Sequence, residues 1–339
     1  MRTPTFFAAA GTGMLLACTA EHGPTEPVES RRAPSAMAAT ASNTWSLRTA
    51  QPGGWIFERF AGVAPNAAGE PIVYVFGGTD GQGTGFQGST YNVSTDTWGG
   101  GLVRLHLFGT NGVGKIGNRL YFSGGIIDIG AVNTLTTRLW AYDYANDRLI
   151  AKAPLPIFSA QGVTGVLSGR LYVLPGVCGG EGYPAPGYCA EEPSRRFYRY
   201  DPGTNRWVSR RQAPHVHRLG AAAVISGKLY VAGGYHGFDP VAWLDVYDPG
   251  TNSWRTLASI PEGGRAIGAA LGGKFHVLVG TSHYAYDPDT DRWRTLAPTR
   301  YPHEALFKVR LGSRSHLLAV GGVHGSDLEL ANPPELYTP

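Results

Sequence analysis

Three cysteines and three methionines in 339 residues are few, and charged side chains make up only 16 % of the chain. So little cysteine excludes a disulfide-dense scaffold and any multi-cysteine zinc or iron–sulfur site. Basic and acidic residues nearly balance, 29 against 25, for a formal net charge of +4. No basic run or stripe accompanies that small excess, which argues against nucleic acid as a partner. After the first seventeen residues no apolar stretch is long enough to span a membrane. Helical periodicity of useful length is missing, and so are a phosphate-binding glycine loop, a nucleophilic triad and paired carboxylates. No tight His/Asp cluster with metal-ligand spacing occurs, so neither a metal nor a cofactor is expected.

What the chain has in excess is glycine, 48 residues, with 24 prolines, the composition of a turn-dense all-β protein. They fall into a pattern that recurs six times: a Gly-Gly-like step, then a tyrosine, then usually a tryptophan seven residues on. It reads Gly77-Gly78…Tyr91…Trp98, Gly124-Gly125…Tyr142…Leu149, Pro175-Gly176…Tyr200…Trp207 and Gly233-Gly234…Tyr247…Trp254. The last two are Val279-Gly280…Tyr286…Trp293 and Gly321-Gly322…Tyr337. The tyrosines are 51, 58, 47, 39 and 51 residues apart, periods that imply a repeat architecture rather than unrelated domains. Between the Tyr and Trp runs, Asp-Pro-Gly-Thr-Asn (201–205 and 248–252) supplies preset and left-handed backbone positions for a turn.

These units resemble kelch repeats from Asn43 to Pro339, most cleanly over Arg218–Gly234 and Leu244–Pro261. The resemblance implies an all-β, six-bladed kelch-type β-propeller with four antiparallel strands per blade. The sixth unit stops at Pro334–Pro339, just where its Trp strand is due. Asn43–Pro52, "NTWSLRTAQP", matches "NSWRTLASIP" of the fourth unit. The last blade is therefore expected to be closed by the N-terminal strand, with residues 43–339 forming one domain. Kelch proteins include copper-radical oxidases resembling galactose oxidase, which need a first-strand cysteine cross-linked to a tyrosine. Both cysteines of residues 43–339 lie in one insertion, which argues against that activity.

Residues 1–17 resemble a bacterial lipoprotein signal peptide: Arg2, an apolar run from Phe6 to Leu16, then Leu15-Leu16-Ala17-Cys18. The resemblance implies lipidation of Cys18, a membrane anchor through that lipid and export to the cell envelope, at the outer membrane or cell surface. Residues 18–42, rich in Pro, Ala, Ser, Thr and Glu, read as a disordered tether. Cys178 and Cys189 both lie inside a Gly/Pro-rich insertion in the third unit, and a disulfide between them suits an exported protein.

In such a propeller the loop after each Gly-Gly step and the connection into the next first strand open on one face around the channel. That loop face is where a ligand is expected. Arg59, Arg218, Arg265 and Arg300 fall near the starts of first strands. His215, His217, His236, His283, His303 and His324 map to the same rim, with Glu304, Asp80, Asp128 and Asp239 nearby. From these, the ligand-binding candidates are Arg59, Arg218, His236, Arg265, His283, Arg300, His303, Glu304 and His324. Arginine offers a rigid fork of donors for carboxylates and hydroxyls, and histidine moves protons near neutral pH.

The leading expectation is a monomeric, non-catalytic binding module that presents its loop face to a glycan or protein partner. A second is an enzyme on that face, resembling the six-bladed kelch sialic-acid mutarotases and using Arg, His and Glu at the channel mouth. A third is a structural scaffold with no small ligand.

Overall fold

In a computed structural model the described residues are 42–52, 58–78, 86–128, 133–179, 195–322 and 332–339. Residues 1–41, which hold the expected signal, Cys18 and nearly all of the expected tether, lie outside them. So do Asp80, Cys189, His324 and the side chains of Asp128 and Cys178.

Each repeat folds where its apolar runs alternate with glycine-bearing turns. Val224-Ile225, Ser226-Gly227 and Lys228–Ala232 form two strands and the turn between them. Both turn residues have positive φ, 48° at Ser226 and 75° at Gly227. The described residues contain no helix and six four-stranded antiparallel sheets. The first comprises Phe60–Pro65, Pro71–Phe76, Phe86–Asn92 and Thr97–Leu105. The second comprises Val113–Ile116, Arg119–Ser123, Leu139–Asp143 and Arg148–Lys152. The third has Val163–Leu167, Arg170–Leu174, Phe197–Asp201 and Arg206–Arg210. The fourth has Ala221–Ile225, Lys228–Ala232, Leu244–Asp248 and Ser253–Leu257. The fifth runs through Ala266–Leu271, Lys274–Val279, Ser282–Asp287 and Arg292–Leu296. The sixth takes Ala305–Leu311, Arg314–Val320 and Glu335–Thr338, and its fourth strand is Thr44–Leu47.

That fourth strand is in the repeat register. Tyr91, Tyr200, Tyr247 and Tyr286 stand opposite Trp98, Trp207, Trp254 and Trp293, and Tyr337 stands opposite Trp45. The Trp45 and Tyr337 rings are 5.1 Å apart, as are those of Tyr247 and Trp254. First strands neighbour one another in order, and Phe60–Pro65 neighbours both Val113–Ile116 and Ala305–Leu311.

Two sets of polar links tie neighbouring sheets. Five residues beyond each of the first five tyrosines sits an Asp or Asn whose side chain accepts that tyrosine's hydroxyl: Asp96, Asp147, Asn205, Asn252 and Asp291. Asn43 takes this role for Tyr337. All six have φ between 45° and 58°, a region that Asn and Asp tolerate best after glycine. The same side chains accept a backbone N–H from the neighbouring unit, at Thr49, Val103, Ala153, Arg211, Ala258 and Ala297. Five of those residues also receive a Trp indole N–H on their carbonyl, from Trp98, Trp207, Trp254, Trp293 and Trp45. The sixth, Val103, faces Leu149 in place of a tryptophan and lacks this second bond.

The Gly-Gly steps make the other set. Gly78, Gly125 and Gly234 donate their N–H to the carbonyls of Leu107, Ser159 and Gly264, just ahead of the next sheet's first strand. A Cβ on Gly77 would lie 2.0 Å from the Leu107 carbonyl oxygen, and φ there is +57°, so both space and conformation demand glycine.

The core is a series of wedges between sheets rather than one central cluster. Tyr230 of the fourth sheet packs with Phe275 and Tyr286 of the fifth, and Tyr172 of the third with Phe197 and with Tyr247 of the fourth. Tyr91, Tyr142, Tyr200, Tyr247 and Tyr286 are all fully buried, their hydroxyls satisfied by the links above.

Candidate functional site

The residues leading into the six first strands surround a cavity of about 270 Å³. Its polar lining comes chiefly from Glu58, Arg59, Asn111, Gln161, Arg265 and Glu304. A chain of hydrogen bonds holds these segments in place. The Glu58 carbonyl accepts the N–H of Gly109, Gly109 that of Gln161, Gln161 that of Leu219, and Leu219 that of Ala266. Glu58, Gly109, Gln161 and Leu219 all have φ between 49° and 56°. Three of these four are not glycine, so backbone strain of roughly 1–3 kcal/mol each is held at the cavity wall. The Glu304 carboxylate accepts the Glu58 N–H and lies 3.7 Å from the Arg265 guanidinium.

Charge and burial give this lining its chemistry. Burial drives the Glu304 carboxyl above the usual carboxylate range; Arg265 opposes the shift and the Glu58 carboxylate adds to it. Burial lowers Arg59 to about 10, against the attraction of Glu304. Glu58 Oε1 accepts a hydrogen bond from Gln161 Nε2 at 2.9 Å, while Gln161 Oε1 accepts one from Arg218 at 3.0 Å. Three buried polar atoms of the lining have no hydrogen-bond partner among the described residues: Glu58 Oε2, Arg59 Nε and Asn111 Nδ2. Each is shielded from solvent, and leaving a buried polar atom unpaired is costly.

Of the candidates read from sequence, Arg59, Arg265 and Glu304 line the cavity. Arg218 does not; its guanidinium bonds Gln161 and the Gly237 carbonyl and lies 5.2 Å from the Tyr235 ring centroid, so it positions Gln161. Arg300 packs its guanidinium over Tyr301 and gives only its backbone N–H to Glu335. His236 stands in a small hairpin, Tyr235–His236 with Asp239–Pro240, beside Trp243.

Two histidines depart from the rim placement for the same physical reason. His303 is buried, with Nδ1 on the Gly321 carbonyl and Nε2 on Glu335 at 3.0 Å. His217 repeats this arrangement with the Gly233 carbonyl and Asp245. Both rings therefore brace a Gly-Gly step against an acid on the third strand. Burial pushes the Asp245 carboxyl up, but the hydrogen bond and charge of His217, with Thr256 and His215, bring it below its ordinary value. His283 departs further: it is 0 % exposed, between the fifth and sixth sheets against Trp45 and Tyr337. Its Nε2 meets Nδ1 of His276 at 3.0 Å. Burial holds both rings low, His276 at about 4 and His283 at about 3, the latter also through its neighbour's charge.

Glu58, Asn111 and Gln161 escaped sequence reasoning. Their only signal is position, since each lies two residues ahead of a first strand, where no motif flags it. No group of three His, Cys, Asp or Glu that could hold a metal ion occurs among the described residues, and no helix among them is long and apolar enough to cross a membrane.

Comparison with known proteins gives two findings. The Kelch motif model matches residues 218–261, the fourth sheet and its approach. The solved structure titled "Structure of YjhT" superposes with a TM-score of 0.67 at 14 % identity, over 87 % of this chain and 97 % of that one. Together they support a kelch-repeat propeller. No curated protein matches the chain by sequence.

Proposed function

We propose that the six sheets are the blades of a closed ring, with Thr44–Leu47 completing the last, and that the central cavity binds the end of a carbohydrate ligand. Closure is supported by the six Asx links, which include Thr49 to Asp96 between the sixth and first sheets. The binding reading is carried by the convergence of Glu58, Arg59, Gln161, Arg265 and Glu304 on the lining of one cavity. Paired carboxylate, guanidinium and amide groups are the set that hydroxyls and a sugar carboxylate satisfy. The protein then serves as a binding module anchored through lipid on Cys18 and held off the membrane by residues 18–42.

The test is a glycan array followed by calorimetry on the best ligand. Arg265→Ala is expected to weaken binding about tenfold, or about 1.4 kcal/mol. Absence of any saturable carbohydrate, or an unchanged affinity in Arg265→Ala, refutes the site and leaves the scaffold reading. For the anchor, Cys18→Ser should move the protein from the membrane fraction to the soluble one.

A second reading, a sugar mutarotase or epimerase, is favoured by one observation: burial holds the Glu304 carboxyl protonated to higher pH beside Arg59 and Arg265. Such a carboxyl can give a proton to a ring oxygen while a second group takes one from the anomeric hydroxyl. Anomer exchange of sialic acid followed by NMR tests it, with Glu304→Gln expected to remove any acceleration. An uncatalysed rate with the intact chain ends this reading.

A further inference from the structure

Between the fifth and sixth sheets, at the strand ends away from the first cavity, lies a second one of about 530 Å³. Its floor is apolar, formed by Leu271, Ala285, Leu296 and Tyr337, and its mouth carries Lys274, Arg294 and Lys308. That volume falls within the roughly 300–1,000 Å³ of small-molecule sites.

The repeat explains why space exists here. In four sheets a tyrosine follows the residue paired with the third-strand tyrosine: Tyr74, Tyr121, Tyr172 and Tyr230. Each fills the wedge to the next sheet, reaching Tyr142, Tyr200, Tyr247 and Tyr286 with ring centroids 5.8–6.1 Å apart. In the fifth sheet the same position is His276, 6.0 Å from Tyr337. The imidazole is shorter than a phenol and is turned onto His283, so the outer part of the wedge stays open above it.

The charged side chains at the mouth are all basic, and the α-carboxylate of Pro339 is the acidic group of the same lining. Lys274 is paired with Asp287, but the side chains of Arg294 and Lys308 have no hydrogen bond or ion pair among the described residues. They stand on facing sheets, on Arg292–Leu296 and Ala305–Leu311, and both are exposed. Two cations without a side-chain partner over an apolar floor suit one class of ligand, an organic anion with a hydrocarbon body. From this we infer that the cleft between the fifth and sixth sheets binds an acyl carboxylate, its chain on Leu271, Ala285, Leu296 and Tyr337 and its carboxylate between Arg294 and Lys308. The site is separate from the carbohydrate cavity and does not depend on that reading.

Decanoate at submicellar concentration, titrated into the intact chain by calorimetry, is the probe, with 1-decanol as the uncharged control. One saturable site is expected, with decanol at least tenfold weaker. His276→Tyr restores the tyrosine of the other four sheets and should abolish binding by filling the wedge. Lys308→Glu, at an exposed position, should weaken decanoate at least tenfold while the fold is kept. Lack of saturable binding, or binding unchanged in both variants, overturns the site. Decanol binding as well as decanoate, or Lys308→Glu binding like wild type, overturns the anion assignment.

Discussion

Trp45→Ala tests whether the amino-terminal strand is an integral part of the ring. The indole N–H of Trp45 bonds the Ala297 carbonyl at 2.9 Å, and its ring packs against Tyr337 at 5.1 Å and His283 at 5.3 Å. Large-to-small changes of buried tryptophan cost about 3–5 kcal/mol. Trp45 is only partly buried, which places the loss near the lower end, about 3 kcal/mol. At about 2 °C per kcal/mol for a domain of this size, the melting temperature should fall by about 6 °C. Trp254→Ala is the internal control, because its indole makes the same bond, to Arg211, and stacks on Tyr247 at 5.1 Å. The two variants should melt within a degree or two of each other in scanning calorimetry. A drop under 1 °C for Trp45→Ala, alongside the full drop for Trp254→Ala, would show that the first strand is an appendage and refute the closed ring.

Three further outcomes follow from the same geometry. Asn205→Ala removes the acceptor for buried Tyr200 and puts alanine at φ 54°, for a loss of about 2–4 kcal/mol in urea unfolding; Asn205→Gly should recover about 1 kcal/mol, and equal losses would contradict the backbone argument. His276 and His283 are held at about 4 and about 3, below the ordinary value near 6.5, so the unfolded chain takes up their protons first as pH falls. Their contribution is complete above about pH 6.5 and is lost on acidification, by roughly 2 kcal/mol per ring between pH 7 and 5. Stability measured across that window should therefore fall less steeply in His276→Tyr than in wild type, and parallel curves would argue against the effect. Glu58→Gly places glycine where Gly109 already occupies the equivalent φ, so stability should hold or rise by about 1 kcal/mol while carbohydrate affinity falls; a clear loss of stability would mean that Glu58 is structural.

Much of this architecture can be read from residues, because the parts that pack also repeat. Tyr91, Tyr142, Tyr200, Tyr247, Tyr286 and Tyr337 mark the third strands, and the match of Asn43–Pro52 to the fourth unit places Trp45 opposite Tyr337. Five of the six Asx links are also in the sequence, five residues after each of the first five tyrosines, yet a turn signal such as Asp-Pro-Gly-Thr-Asn hides them. Asn205 and Asn252 look like turn formers and act in addition as inter-sheet acceptors. The cavity is far less legible. His217 and His303 fall at rim positions by spacing, and only their contacts with Asp245 and Glu335, 28 and 32 residues away, reveal them as buried braces. Glu58 and Gln161 carry no motif, since their importance comes from meeting each other across 103 residues.

The two ends of the strands divide the work. At one end the Asx and tryptophan links satisfy every tyrosine hydroxyl they reach, and such saturated networks make a scaffold stiff. At the other, the segments ahead of the first strands carry three non-glycine residues at positive φ, although Gly109 shows that glycine fits that position at less cost. A chain selected for stability alone would use glycine at all four. Glutamate at 58 and glutamine at 161 bring a carboxylate and an amide to the cavity at the expense of strain, and the stiff outer links keep that strain from relaxing. Strained backbone, an amide fixed from behind by Arg218 and charged side chains gathered on one cavity lining are what the proposed binding site needs of a preorganised wall.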